Sequence, residues 1–170
     1  SCALAAGVPL DVIRSGLEAF EPVKGRSRAI SLALGGRTLT VVDDTYNANP
    51  DSMRAAIEVL AELPAPRLLV LGDMGEVGDQ GPSFHAEVGA LARERGIEQV
   101  FALGALAIHV AEACPGARHF EDMAALLAAV QGALPGVASL VVKGSRFMKM
   151  ERVVDAVVQR AQEQPRDAIH

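Results

Sequence analysis

Three short polar runs hold most of the side chains in this sequence that could do chemistry, and each follows an apolar stretch. Asp43-Asp44-Thr45-Tyr46-Asn47-Ala48-Asn49-Pro50 follows Thr38 to Val42, Gly72-Asp73-Met74-Gly75-Glu76 follows Leu68 to Leu71, and Lys143-Gly144-Ser145-Arg146 follows Leu140 to Val142. Asp43 or Asp44 can accept hydrogen bonds from ribose hydroxyls, while Asn47 offers both a donor and an acceptor to a base edge or a phosphate. Asn49 before Pro50 makes a cap and first-turn pair, which aims a helix N-terminus at the same place. Each piece also has a plainer reading. Asn-x-Asn-Pro can be a helix cap alone, Asp73 can shape a turn, Lys143 with Arg146 can be a solvated pair, and Ser145 can cap the last helix. His85 falls inside a helical pattern with no Cys, Asp or second His at ligand spacing, so it reads as a core histidine. Met148 and Met150 read as core filling. Three polar loops at three strand ends are what a structural domain does not need.

The elements that must position these loops follow from periodicity. Alternation from Ala29 to Leu34, the pair Gly35-Gly36 and the run from Thr38 to Val42 predict a two-residue hairpin. From Asp44 onward apolar strands (Leu68 to Leu71, Val100 to Leu103, a short one near His119, Leu140 to Val142) alternate with amphipathic helices. The helices are expected near Pro50 to Glu62, Ser83 to Arg95, Leu106 to Ala113, Met123 to Leu134 and Met148 to Gln162. Such alternation implies a parallel sheet covered on both faces, with right-handed crossovers. The expected fold is therefore α/β: a doubly wound, Rossmann-like, mostly parallel sheet with an N-terminal β-hairpin. In such sheets ligands bind outside the carboxyl ends of the strands, where all three polar runs fall. Before the hairpin, Leu10, Ile13, Leu17 and Phe20 are spaced as a short helix that ends at Glu21-Pro22.

Composition narrows the function classes. The chain has 170 residues, 50% of them hydrophobic and 22% charged, and its net charge is −5. This is a packed domain, and its mild, dispersed acidity argues against a nucleic-acid partner, which needs a basic face. No apolar run approaches the roughly 20 residues of a membrane span, and the start lacks the basic region of a secretory signal. Two isolated cysteines, Cys2 and Cys114, suit a reducing cytoplasm and read as inert buried thiols. Gly-x-x-x-x-Gly-Lys-Ser/Thr is missing, because in Lys143-Gly144-Ser145 the lysine precedes the glycine, and Gly-x-Gly-x-x-Gly is missing too. A self-sufficient triphosphate site is thus lacking, no Ser/His/Asp or Cys/His order can be read, and no residue is assigned as catalytic.

The run Asp43-Asp44-Thr45-Tyr46-Asn47-Ala48-Asn49-Pro50 resembles the D-D-[ST]-Y-N-A-N-P motif of the C-terminal domain of the Mur ligases. Gly72-Asp73-Met74-Gly75-Glu76-Val77-Gly78 is similar to G-D-M-x-E-[LV]-G, and Lys143 to Arg146 with Met150-Glu151 is similar to K-G-S-R-x-x-x-M-E. Pro22 to Arg26 resembles the P-x-x-G-R joint between central and C-terminal domains. The resemblance is strongest to the branch that adds D-Ala-D-Ala to UDP-MurNAc-tripeptide; the diaminopimelate-adding branch carries D-N-P-R where this chain has Asp73-Met74-Gly75-Glu76.

What the resemblance implies is an ATP-dependent amide ligase of peptidoglycan precursor synthesis in the cytoplasm. ATP phosphorylates the tripeptide carboxylate, and the dipeptide amine attacks the acyl phosphate. Residues 1–22 would be a remnant of the central ATPase domain, 23–162 the C-terminal lid domain, and 163–170 a flexible tail. Arg26, Asp44, Tyr46, Asn47 and Asn49 would contact ATP. Asp73, Met74, Glu76, Lys143, Ser145 and Arg146 would hold the dipeptide and its carboxylate, a natural partner for Lys or Arg. Mg²⁺ would be bound by the central domain, with no metal ligand in this chain. The partners implied are UDP-MurNAc-tripeptide, D-Ala-D-Ala and the enzyme's own N-terminal and central domains, in a monomer. This chain alone would be inactive. Two other classes compete: a stand-alone binding module, and a phosphoacceptor receiver domain with Asp43, Asp44, Asp73 and Lys143 in its acidic and lysine roles.

Overall fold

A computed structural model describes residues 24–163. The helix expected within residues 1–22 lies outside that range, as does the expected tail except for Glu163. The chain enters through a hairpin of β1 (Arg28–Leu34) and β2 (Arg37–Asp44), paired antiparallel from Arg28 opposite Asp43 to Leu34 opposite Arg37. Gly35 and Gly36 both have positive φ, 58° and 78°, which a two-residue turn matched to the strand twist requires.

Strands and helices then alternate: α1 (Pro50–Glu62), β3 (Arg67–Gly72), α2 (Gly81–Glu94), β4 (Gln99–Leu103), α3 (Ile108–Ala113), β5 (Arg118–Phe120), α4 (Met123–Ala133), β6 (Ser139–Lys143) and α5 (Glu151–Glu163). The sheet order is β1-β2-β6-β3-β4-β5, and every pair except the hairpin is parallel. The period-two alternation of each strand divides the core. Leu39, Val41, Leu68, Val70, Leu140 and Val142 face α4 and α5, while Val42, Leu69, Leu71 and Val141 face α1 to α3. A fully buried Leu or Val contributes about 1.5–3 kcal/mol. The strand ends therefore inherit positions fixed by the core, and β6 delivers its last residue between β2 and β3.

Counted in chain order, the parallel strands lie 1-5-2-3-4, whereas a receiver-type sheet runs 2-1-3-4-5. That order removes the receiver reading. The start of the last helix differs most from expectation. Arg146–Met148 form a single 3₁₀ turn, Lys149 is left-handed at φ 51°, and α5 begins only at Glu151. The break carries Met150 into the core over Gly72 and Gly144, where an added Cβ would lie 3.0 and 2.5 Å from its side chain. Tertiary packing here overrides a helical pattern. Cys114 is buried, and desolvation pushes its thiol up from the ordinary value, so it stays protonated and inert.

Candidate nucleotide and substrate site

Because β2, β6 and β3 are adjacent and parallel, their three polar loops meet on one sheet edge. Lys143, the last residue of β6, is paired in register with Asp44 and is only 2% exposed. Its Nζ donates to Asp44 Oδ2 at 2.5 Å and to the Asn47 carbonyl at 2.9 Å. Asp44 Oδ1 accepts from the Ser27 amide at 2.9 Å and its hydroxyl at 3.2 Å. The buried Asp43 accepts from the Gly25 amide at 3.1 Å and the Thr45 hydroxyl at 2.7 Å, and the Tyr46 amide donates to the Gly25 carbonyl at 2.8 Å. These bonds clamp the segment before β1 onto the loop after β2. The clamp brings the Arg26 guanidinium to 4.3 Å from the Tyr46 ring centroid, and Arg146 reaches the same ring at 5.3 Å.

Asn49 caps α1: its Oδ1 accepts from the Ser52 amide at 2.8 Å, the Ser52 hydroxyl accepts from the Asn49 amide at 3.0 Å, and Pro50 opens the helix. The capping reading of Asn-x-Asn-Pro thus holds for Asn49. Asn49→Ala is expected to cost about 1 kcal/mol, read as a lower urea midpoint at constant slope.

The loop after β3 divides its side chains. Asp73 accepts from the amides of Ala107 at 2.7 Å and Leu106 at 3.2 Å, and Gly104, at φ 121°, makes room for it: a Cβ there would lie 2.4 Å from Asp73 Cγ. Met74 is 1% exposed among the core residues of α1 to α3. The side chains of Asp73 and Met74 are therefore directed to the interior, and the structure does not bring them to the crevice. The reason is that Asp73 serves the entry to α3 and Met74 fills the core beneath it. His85 is the core histidine expected: Nδ1 donates to the Gly81 carbonyl at 2.7 Å, so Nε2 accepts from the Met74 amide at 3.0 Å. Glu76, at φ 57°, turns out to the crevice edge. Ser145 does not cap the last helix. Its Oγ accepts from the Gly75 amide at 2.6 Å and donates to the Ala48 carbonyl at 3.4 Å, tying all three loops together.

Two clefts flank this knot. The first, about 590 Å³, has an apolar wall of Val42, Ala55, Ala56, Val59 and Leu63, with Arg26, Asp44, Tyr46, Asn47 and Lys143 at its polar end. The second, about 660 Å³, is lined by Gly75, Glu76, Phe84, Ser145, Arg146 and Phe147. Asn47, Ala48 and Asn49 border both. Both volumes fall in the range of small-molecule pockets, about 300–1,000 Å³. The first cleft fits a nucleoside, a flat apolar slot with a carboxylate at one end for ribose hydroxyls. Among the described residues it has no glycine-rich cradle of amides for a triphosphate, which fits half of a nucleotide site. Sequence reasoning missed Ser27, the α1 wall and Phe84 with Phe147. No sequence signal marked them: that Val59 and Phe147 are large apolar side chains left 50% and 62% exposed is known only from the fold.

The comparison with known families identifies the domain that carries this edge. The model of the Mur ligase, glutamate ligase domain, matches residues 25–146, which include all three loops. The chain belongs to the Mur ligase family. It is 38% identical over 156 residues to the UDP-N-acetylmuramoyl-tripeptide–D-alanyl-D-alanine ligase of Escherichia coli K12, covering 91% of this chain and 34% of that protein. This Mur ligase chain thus spans about a third of the length of the curated relatives it matches. MurF from Acinetobacter baumannii superposes with a TM-score of 0.78 at 35% identity, over 92% of this chain and 35% of that one. MurF from Thermotoga maritima, solved in complex with ADP, has the same fold, with a TM-score of 0.78 at 23% identity over 96% of this chain and 37% of that one. Against the Mur ligase family the receiver alternative falls a second time.

Proposed function

We propose that this Mur ligase domain is the C-terminal lid of an ATP-dependent amide ligase that adds D-Ala-D-Ala to UDP-MurNAc-tripeptide in the cytoplasm. The observation that carries the reading is the Lys143–Asp44–Asn47 knot beside the apolar first cleft, in a domain whose relatives are named for that reaction. ATP supplies the phosphoryl group that activates the tripeptide carboxylate. The chain's own residues bind and orient. Asp44 presents its carboxylate to the ribose, Asn47 and Asn49 frame the base side, and Arg26 reaches toward the phosphates. Lys143 belongs to the nucleotide side, because its ammonium is engaged by Asp44 and Asn47. The second cleft, with Glu76, Ser145 and Arg146, receives the dipeptide. Asp73-Met74-Gly75-Glu76 in place of D-N-P-R favours a dipeptide over diaminopimelate.

Among the described residues no three His, Cys, Asp or Glu side chains group as a metal site. In this reading Mg²⁺ and the phosphate cradle belong to a central domain, of which residues 1–22 are the last part. The full-length enzyme acts as a monomer. The test is NMR titration of this chain with ATP and D-Ala-D-Ala separately. Without the phosphate cradle, dissociation constants at or above ~1 mM, about −4 kcal/mol, are expected. ATP should shift residues 44–49, and D-Ala-D-Ala should shift 75–76, 145 and 147. Shifts gathered at the opposite sheet edge would overturn the reading.

A further inference from the structure

The two clefts share the border Asn47 to Asn49, and next to that border, in the first cleft, stands Tyr46. Its ring is 42% exposed and carries two guanidiniums, Arg26 from the rim of the first cleft and Arg146 from the second. Among the described residues neither arginine forms an ion pair, although ion pairs are numerous elsewhere. An exposed cation–π contact is worth about 0.5–1 kcal/mol. The two contacts leave the guanidiniums within about 10 Å of each other, where two solvated cations repel by on the order of 0.5 kcal/mol. The ring can gather the two arginines but leaves their charge uncompensated. Both arms spring from pinned backbone. Arg26 follows Gly25, which is bonded to Tyr46, and Arg146 follows Ser145, which is bonded to Gly75.

We propose that Tyr46 is a positioning residue that holds Arg26 and Arg146 as a two-armed receptor for a phosphoryl group at the junction of the clefts. The chemical class follows from shape. A planar carboxylate is satisfied by one guanidinium fork, whereas a tetrahedral phosphoryl with three terminal oxygens can be shared by two. The inference rests on the ligase reading for its reaction. There the phosphorus–oxygen bond to the nucleotide breaks as one to the tripeptide carboxylate forms. The amine nitrogen then bonds the carbonyl carbon, inorganic phosphate leaves, and the surplus proton passes to water. The phosphoryl group starts on the side of the first cleft and leaves as the amine arrives from the second. A receptor with one arm in each cleft can hold it throughout. Arg146 thereby moves from the dipeptide carboxylate to the phosphoryl group.

The test follows the arginine Nε–H signals of this chain by NMR at constant ionic strength. Inorganic phosphate should shift Arg26 and Arg146 with one common midpoint, and D-Ala-D-Ala at equal concentration should shift them at least threefold less. Tyr46→Leu should raise the phosphate midpoint at least threefold and uncouple the two arginines, while Tyr46→Phe should retain the parent behaviour. Arg146→Gln should abolish the Arg26 response, which keeps the test open if Tyr46→Leu fails to fold. In the full-length ligase, Tyr46→Leu should lower kcat at least tenfold with less than a threefold change in the KM for D-Ala-D-Ala, and Tyr46→Phe should restore it. Separate midpoints, an equal response to the dipeptide, or an unchanged midpoint in Tyr46→Leu would overturn the proposal. Adenosine, which has no phosphate, separates this from the ligase reading: it should shift Asp44 and Asn47 whether or not the arginine pair binds phosphate.

Discussion

Lys143→Met is expected to destabilise this domain by about 3 kcal/mol and to cripple nucleotide binding. Removing one partner of a buried ion pair costs about 3–5 kcal/mol, because the other charge is left in a poor solvent. Asp44 keeps 17% of its side chain exposed, so partial rehydration places the loss at the low end of that range. The methionine stem replaces the buried methylenes, so the loss reports the ammonium contacts rather than a cavity. Urea unfolding should show a lower midpoint at unchanged slope, and adding Asp44→Asn should recover part of the loss, since the stranded charge is then gone. In the full-length enzyme the KM for ATP should rise more than that for D-Ala-D-Ala. A loss below about 1 kcal/mol, or a rise confined to the dipeptide KM, would contradict the placement of Lys143 as the fastener of the nucleotide loop.

The second large effect is all or none. This chain alone is expected to release no ADP and form no amide when given ATP, Mg²⁺, UDP-MurNAc-tripeptide and D-Ala-D-Ala. A single arginine aimed at a transferring phosphoryl group is worth about 10³–10⁵ in rate. A chain whose sequence lacks the glycine-rich motif with its lysine, and whose described residues group no metal ligands, lacks several contributions of that kind at once. Chromatography of the reaction mixture should show only starting material. Product above the rate of a boiled control would sink the division of labour between domains.

Much of the frame is legible in the sequence because its signals are local. The bounds of α1 follow from Asn49-Pro50 at one end and Leu63-Pro64 at the other, and the hairpin turn follows from Gly35-Gly36. The strands read as continuous apolar runs because both faces are covered. What resists reading is set by sheet order and distant packing. Lys143 and Asp44 are 99 residues apart, and only the insertion of β6 between β2 and β3 makes them partners. Before that order is known, a cation after a strand looks free to meet a substrate carboxylate. Asp73 likewise looks like a crevice residue until the amides at the entry to α3, 34 residues on, claim it. The late start of α5 escapes a periodicity argument because Met150 is drawn inward by the two glycines beneath it.

The most direct test joins this chain to the N-terminal and central domains of its own enzyme and asks which amine is ligated. With ATP, Mg²⁺ and UDP-MurNAc-tripeptide, mass spectrometry should show one D-Ala-D-Ala added per precursor and one ADP released per amide. Given UDP-MurNAc-dipeptide and diaminopimelate instead, the same enzyme should yield no product. Ligation of diaminopimelate, or ADP release that D-Ala-D-Ala does not accelerate, would contradict the assignment of this domain to the dipeptide-adding ligase.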